Sequence, residues 1–240
     1  MTTTLTGNRT ADPACSVDEG AVLLIDKPEG WTSFDVVARI RAGLKVRKVG
    51  HAGTLDPLAT GLLIVCTGRK TKEISRYSCL DKEYEGEMVL GARTKSFDAE
   101  TPVYEQRSTD GVDATAVRSA CAQFLGAQKQ TPPMWSAVKK RGKPLYKYAR
   151  KGLTVDRPTR DITIHTLEVP AVELPRVMFR VVCSKGTYIR ALVEDIGLRL
   201  GCGAYLASLR RTRIGPFAVA DALSIEQALR RRDPVASGTP

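Results

Sequence analysis

From Gly50 to Cys66 the chain reads GHAGTLDPLATGLLIVC. One carboxylate, Asp56, stands in a loop punctuated by glycine and proline, just ahead of an apolar run. His51, one of only two histidines, lies shortly upstream. An Asp-Pro pair is most often a turn, because Asp bonds its own backbone and Pro57 presets φ. The same residues also suit catalysis: glycine lets a ligand approach the backbone closely, and a positioned carboxylate can act as a nucleophile. Alone, the stretch leaves both readings open and favours the turn. A second segment, SKGTYIRAL (184–192), opens a helix and carries Arg190.

Other chemistries find no foothold. The chain has no Walker loop and no G-x-G-x-x-G, no serine nucleophile elbow, and too few histidines for a Ser-His-Asp arrangement. Its six cysteines, at 15, 66, 79, 121, 183 and 202, form no C-x-x-C pair. They read as reduced thiols in a cytoplasm, and without a Cys/His cluster no metal is expected. The formal net charge is +11, which favours a polyanionic partner, nucleic acid ahead of an anionic membrane surface. Solubility alone is the plainer explanation. The cations gather in KVRK (45–48), KKRGKPLYKYARKG (139–152), RRTR (210–213) and RRR (230–232). Tyr146 and Tyr148 interleave with the second cluster, which suits phosphate contact and base stacking together. No apolar stretch reaches the length of a membrane span, and the polar N-terminus lacks a secretory segment.

These residues need elements to hold them. Residues 1–19 read as a disordered tail and 233–240 as a frayed end, with one domain over 20–232 between them. AVLLID (21–26) and LLIVCT (62–67) read as short buried strands. Between them, Thr32 or Ser33 caps a helix with apolar positions Phe34, Val36, Val37, Ile40 and Leu44. KEYEGEMVLG (82–91) alternates, with Tyr84, Gly86, Met88 and Leu90 on one face. Further strands are expected at 136–139, 159–169 and 176–184. Helices are expected at 112–125, 143–151, 187–201 and 224–232, and ASLRRTRIGPFAV reads as strand and turn. Residues 92–114 read as a long surface loop. Strands and helices mix without regular βαβ alternation, which predicts an α+β fold rather than a doubly wound one.

KPEGWTS, GHAGTLDPLATGLL, KEYEGEMVLGART, SKGTYIRALVEDIG and LRRTRIGPF occur in this order. In order and spacing they resemble the motifs of the TruB-type tRNA pseudouridine synthases, and TPPMWSAVKKRGKPLYKYARKG resembles the segment between them. The resemblance covers roughly residues 21–220 and implies the pseudouridine synthase fold: a mixed, mainly antiparallel central sheet flanked by helices. KSFDAET departs from the Thr/Asp-rich stretch usual after LGART. Residues 221–240 are too few for the further RNA-binding domain that many relatives carry, so a stand-alone form lacking it is expected.

The implied reaction isomerises uridine to pseudouridine at position 55 in the T-loop of tRNA. The N1–C1′ bond breaks, the uracil rotates and C5 joins C1′. Nothing is oxidised or hydrolysed, so no cofactor is expected. One carboxylate suffices, unlike glycoside hydrolysis with its pair. The resemblance makes Asp56 the nucleophile, attacking C1′ or C6. It gives Arg190 the role of pairing with Asp56 and lays Tyr84 against the uracil, its hydroxyl near the C5 proton. It places His51 beside the flipped base, and Tyr188 and Leu209 in the uridine pocket. Lys27, with Pro28, shapes a nearby loop. A turn-forming Asp, a solvated helix arginine and a core tyrosine are the plain alternatives. The implied partner is the T-arm of tRNA, whose target base must be flipped out, and a monomer needing no protein partner is expected. A guide-RNA-dependent subunit and a tRNA-folding chaperone using the same pocket are the competing functions.

Overall fold

The computed structural model describes residues 4–5, 20–140 and 142–230. The tail expected over 1–19 lies outside the described residues except for β1 (Thr4–Leu5), and so does the end expected over 233–240. The next elements are β2 (Val22–Lys27), α1 (Ser33–Leu44), β3 (Val49–His51), β4 (Thr60–Thr67), a 3-10 turn (Gly68–Glu73), α2 (Ile74–Ser78) and β5 (Lys82–Leu90). Then come β6 (Ala92–Thr94), β7 (Val103–Gln106), α3 (Ala114–Ala122), β8 (Gly126–Gln130), β9 (Lys139–Lys140), β10 (Lys143–Pro144) and α4 (Leu145–Ala149). The chain continues through β11 (Arg160–Glu173), β12 (Arg176–Cys183), α5 (Ile189–Arg199), β13 (Ala204–Ile214), β14 (Phe217–Ala218) and α6 (Ile225–Arg230). This is the expected α+β class, with mainly antiparallel pairing and flanking helices.

The chain forms two compact units, one from the residues up to Lys82 with those from Arg210 onward, the other from Glu83–Leu209. In the first unit β2 and β4 pair antiparallel, Leu24 opposite Ile64, and the end of β13 joins β4 in parallel, Arg211 opposite Gly61. Both strands are apolar on both faces because both faces are covered. Leu23, Ile25, Leu63 and Val65 pack with Val36 and Ile40 of α1 and Ile225 of α6. Val22, Leu24, Leu62 and Ile64 pack with Tyr77 of α2 and Ile214. Thr32, not Ser33, caps α1: its side chain accepts from Asp35 N, and the Asp35 carboxylate accepts from Thr32 N. Phe34 leaves the expected apolar stripe and is 67% exposed.

In the second unit the strand order runs from the start of β13 through β5, β12 and β11 to β8. β5 alternates as expected, with Tyr84, Gly86, Met88 and Leu90 on the buried face. α5 buries Ile189, Leu192, Val193 and Ile196. Two expectations fail. Residues 136–138 are not a strand; only Lys139–Lys140 pairs, in a short hairpin with Lys143–Pro144. Residues 92–114 are not a plain surface loop, because β6 and β7 pair antiparallel and Thr94, Ser96 and Asp98 are buried at their turn. Polar side chains satisfy that turn from within. Thr94 and Ser96 hydroxyls donate to Asp98 O, and Asp98 Oδ1 accepts from Glu100 N. A polar sequence therefore reads as exposed when its polarity is spent internally.

Gly61 sets how closely β4 approaches β13. Its φ is +99°, and a Cβ there would sit 2.3 Å from Arg211 O and 2.8 Å from Arg211 N. Gly61→Ala should cost about 2–4 kcal/mol in urea unfolding. Gly111→Ala, at φ +78° but in open space, should cost about 1 kcal/mol. Equal midpoints for the two variants would contradict the close approach.

Candidate active site

Asp56 sits on the connection between β3 and β4. The turn expected of Asp-Pro is present, since Ala59 N donates to Asp56 O at 3.1 Å. Side chains from beneath hold the rest of this loop. The Ser33 hydroxyl, passed over as a cap, accepts from Leu55 N at 2.8 Å and donates to Leu55 O at 3.1 Å. The Lys27 ammonium donates to Trp31 O at 2.6 Å, Pro28 O at 2.9 Å and Pro57 O at 3.4 Å. Pro57 O also accepts from Gly30 N at 2.9 Å. The KPEGWTS segment and the Asp56 loop are thus laced together through backbone carbonyls, one donor per carbonyl or more.

Lys27 is wholly buried. Burial pushes its pKa down from 10.5 to about 8, the Asp56 carboxylate opposes the shift, and the Arg211 guanidinium adds to it. His51 closes β3 opposite Val65 and is half-buried. Its pKa is pushed down, first by burial and then by Arg211, with a Gly53 backbone hydrogen bond acting the other way. The imidazole is therefore neutral at neutral pH.

Arg211 departs most from its sequence context. RRTR reads as a surface patch for phosphate, yet Arg211 is 1% exposed and donates to the carbonyls of Leu62, Gly53 and Thr54. Arg210 is held by Asp26 through two bonds, 2.7 and 3.1 Å. Neither arginine is a loose phosphate clamp. The burial of Arg211 is visible only once β13 is placed beside β4.

Within the second unit, Arg190 lies in the first turn of α5 and is 3% exposed, so it is not a solvated helix arginine. It donates to Ser96 O at 2.9 Å and to Trp135 O at 2.8 Å, and its guanidinium lies 3.3 Å from Asp98 Oδ2. One turn on, buried Glu194 is gripped by Arg93, which also donates to Glu105 at 2.9 Å. Both buried charges of α5 are therefore answered by the β6–β7 hairpin. Asp98 stands in the KSFDAET stretch that departs from the expected pattern; burial next to a charged helix start is its signal, and periodicity does not carry it. Tyr188 is the N-cap residue of α5. The Gln130 side chain accepts from Tyr188 N at 2.8 Å and donates to Tyr188 O at 3.0 Å, and Arg160 lies 5.3 Å from its ring centre. Tyr84 and Leu209 are 7% and 8% exposed.

In chemical terms, the first unit presents a carboxylate on a braced loop beside a buried ammonium. The second presents a buried guanidinium and a tyrosine with fixed backbone. Lys27 gives this a pH signature. The rate kcat/KM should fall above about pH 8 as Lys27 loses its charge. Stability should move the other way. Between about pH 8 and 10.5 the unfolded chain keeps a proton that the folded chain has released, so the Lys27 contribution to stability rises across that window. The stability difference between the unaltered protein and Lys27→Met should change with pH in that direction; a pH-independent difference would contradict the shift.

Comparison with known proteins bears on the family. A model described as TruB family pseudouridylate synthase, N-terminal domain, matches residues 41–189, and one described as tRNA pseudouridylate synthase B C-terminal domain matches 190–231. The tRNA pseudouridine synthase B of Chloroherpeton thalassium is 49% identical over 223 residues, 90% of this chain and 92% of that one. That of Chlorobium luteolum is 52% identical over 220 residues, 89% and 76% of the two chains. Among solved structures, a chain of a Cbf5-Nop10-Gar1 complex aligns with TM-score 0.65 and 32% identity, covering 90% of this chain but only 58% of that one. A chain of an H/ACA RNP bound to a substrate RNA containing 2'-deoxyuridine aligns with TM-score 0.66 and 28% identity, covering 95% and 61%. The match across most of the chain, at half identity, means that this protein belongs to the TruB family of pseudouridylate synthases.

Proposed function

We propose that this protein isomerises uridine 55 in the T-loop of tRNA to pseudouridine, with Asp56 as nucleophile. The observation that carries the proposal is the Asp56 loop itself: a carboxylate whose neighbouring carbonyls are tied down by Ser33 and buried Lys27. Preset geometry of this kind favours attack because little order is lost at reaction. The relatives named tRNA pseudouridine synthase B support tRNA as the substrate.

The steps balance without a cofactor. Asp56 attacks C1′ or C6 of the flipped uridine, the N1–C1′ bond breaks, and the uracil turns to offer C5. The C5–C1′ bond forms, Asp56 leaves, and the C5 proton is lost as N1 gains one. In this reading the role of Arg190 is to pair with Asp56. Tyr84 lies on the uracil and its hydroxyl assists the C5 proton transfer. His51 holds the space left by the flipped base, while Tyr188 and Leu209 wall the pocket. The +11 charge draws the T-arm in through its phosphates. Gly68 N donates to Lys48 O at 2.9 Å, which brings KVRK and the Arg69–Lys72 turn together as one basic edge for that purpose. Residues 20–232 act as one catalytic domain, in the cytoplasm, as a monomer without an obligatory protein partner.

Asp56→Asn keeps the shape of the side chain and removes the nucleophile. Mixed with a lone tRNA transcript, it should bind as the unaltered protein does and form no pseudouridine. Unaltered protein that needs a guide RNA, or binds without modifying, would replace the proposal with one of the competing functions; an active Asp56→Asn would remove the nucleophile assignment.

Arg190→Lys keeps the charge but loses the planar fork that reaches Ser96 O and Trp135 O together. Single-turnover rate should drop about 100-fold or more with little loss of tRNA affinity. A rate equal to the unaltered protein would leave Arg190 with a packing role only.

A further inference from the structure

We propose that Arg211 is a positioning residue for this reaction: its buried guanidinium staples the two arms of the loop that carries Asp56, and so sets where the carboxylate stands before substrate enters. The inference rests on the assignment of Asp56 as nucleophile.

The staple follows from where the donors go. Nε donates to Leu62 O at 2.7 Å, on the β4 side of the loop. Nη2 donates to Gly53 O at 3.1 Å and Nη1 to Thr54 O at 3.5 Å, on the β3 side. One rigid plane therefore spans both arms of the segment 53–62, with Asp56 between them. A buried guanidinium is tolerated only when its N–H groups are met, and each of its described hydrogen bonds ends on a backbone carbonyl. The loop needs the donors and the donors need the loop, so their geometries are mutually determined.

The register that brings Arg211 here is built in. Arg211 faces Gly61 across the parallel β13–β4 pair, where any side chain on Gly61 would collide with it. Gly53, at φ +95°, leaves its own Cβ position 3.6 Å from Nη1. The neighbouring arginine takes the opposite role, held at the half-exposed surface by Asp26 and Thr60. Simple packing does not require a cation at this place, since an aliphatic chain of similar length fills the same volume. What only the planar fork supplies is a fixed distance between three carbonyls; lysine, a single donor point, cannot span them.

Two variants test this in the full chain with a tRNA transcript. Arg211→Met keeps volume and removes both charge and fork; Arg211→Lys keeps charge and removes the fork. Both should lose on the order of 100-fold in single-turnover rate per folded molecule, with KM within about threefold. The alkaline limb of kcat/KM supplies a readout that packing would not move. The charged groups acting on Lys27 are Asp56, Arg211, Glu29 and Asp35, and Arg211 is the one cation among them. The limb should therefore move to higher pH in Arg211→Met and stay in place in Arg211→Lys. An unchanged rate per folded molecule, a loss carried wholly by KM, or an unmoved limb in Arg211→Met overturns the inference. If Arg211→Met does not fold, the rate and KM of Arg211→Lys decide alone. An active Asp56→Asn would defeat the nucleophile assignment instead, whereas an inert Asp56→Asn beside fully active Arg211 variants defeats only the staple.

Discussion

The loop that carries Asp56, the nucleophile proposed above, must present one side chain while keeping its own backbone from wandering. Here the constraint is met by hydrogen bonds from beneath. Lys27, Ser33 and Arg211, from three separate elements, engage the carbonyls of Pro57, Leu55, Gly53, Thr54 and Leu62. Two of the three are buried cations, which would be unfavourable in an apolar core and are stabilised here by the carbonyl dipoles they bind. Gly61 permits the close approach of β13 to β4 that brings Arg211 to this loop, while Lys27 reaches it from β2 and Ser33 from α1.

The second unit uses the same device on a helix. α5 buries Arg190 and Glu194 along with its apolar stripe. Left unpaired, each would destabilise the helix by several kcal/mol. The β6–β7 hairpin supplies Asp98 and the Ser96 carbonyl to one and Arg93 to the other. Arg190 is thereby oriented by contacts made on its own unit, and its rotamer is set by the fold.

Periodicity carried much of this into view. The alternation of KEYEGEMVL predicts which face Tyr84 occupies, and the capping pattern before SFDVVARI predicts where α1 begins. Doubly apolar VLLI and LLIV predict strands covered on both faces. What stayed hidden has a common cause. Arg211, Ser96 and Asp98 are polar residues whose partners are distant in sequence, so composition assigns them to the surface, whereas tertiary hydrogen bonds take them inside. Phe34 fails in the reverse direction, apolar at helical spacing yet exposed. SAVK fails because an apolar-polar run of four residues is too short to specify a strand without a neighbour to pair with. The candidate site residues were named from ordered motifs and stand as a proposal; the bracing of the Asp56 loop was not visible in those motifs.

The central claim is that the Asp56 loop is set before RNA arrives, and native-state hydrogen exchange on the RNA-free protein tests it most directly. Three amides report on the loop: Leu55 N bonded to the Ser33 hydroxyl, Gly30 N bonded to Pro57 O, and Ala59 N bonded to Asp56 O. The account predicts that they exchange with protection approaching that of the β4 amides paired to β2, opening only in larger unfolding events. Exchange of all three at the rate of an open loop, while β4 remains protected, would contradict it.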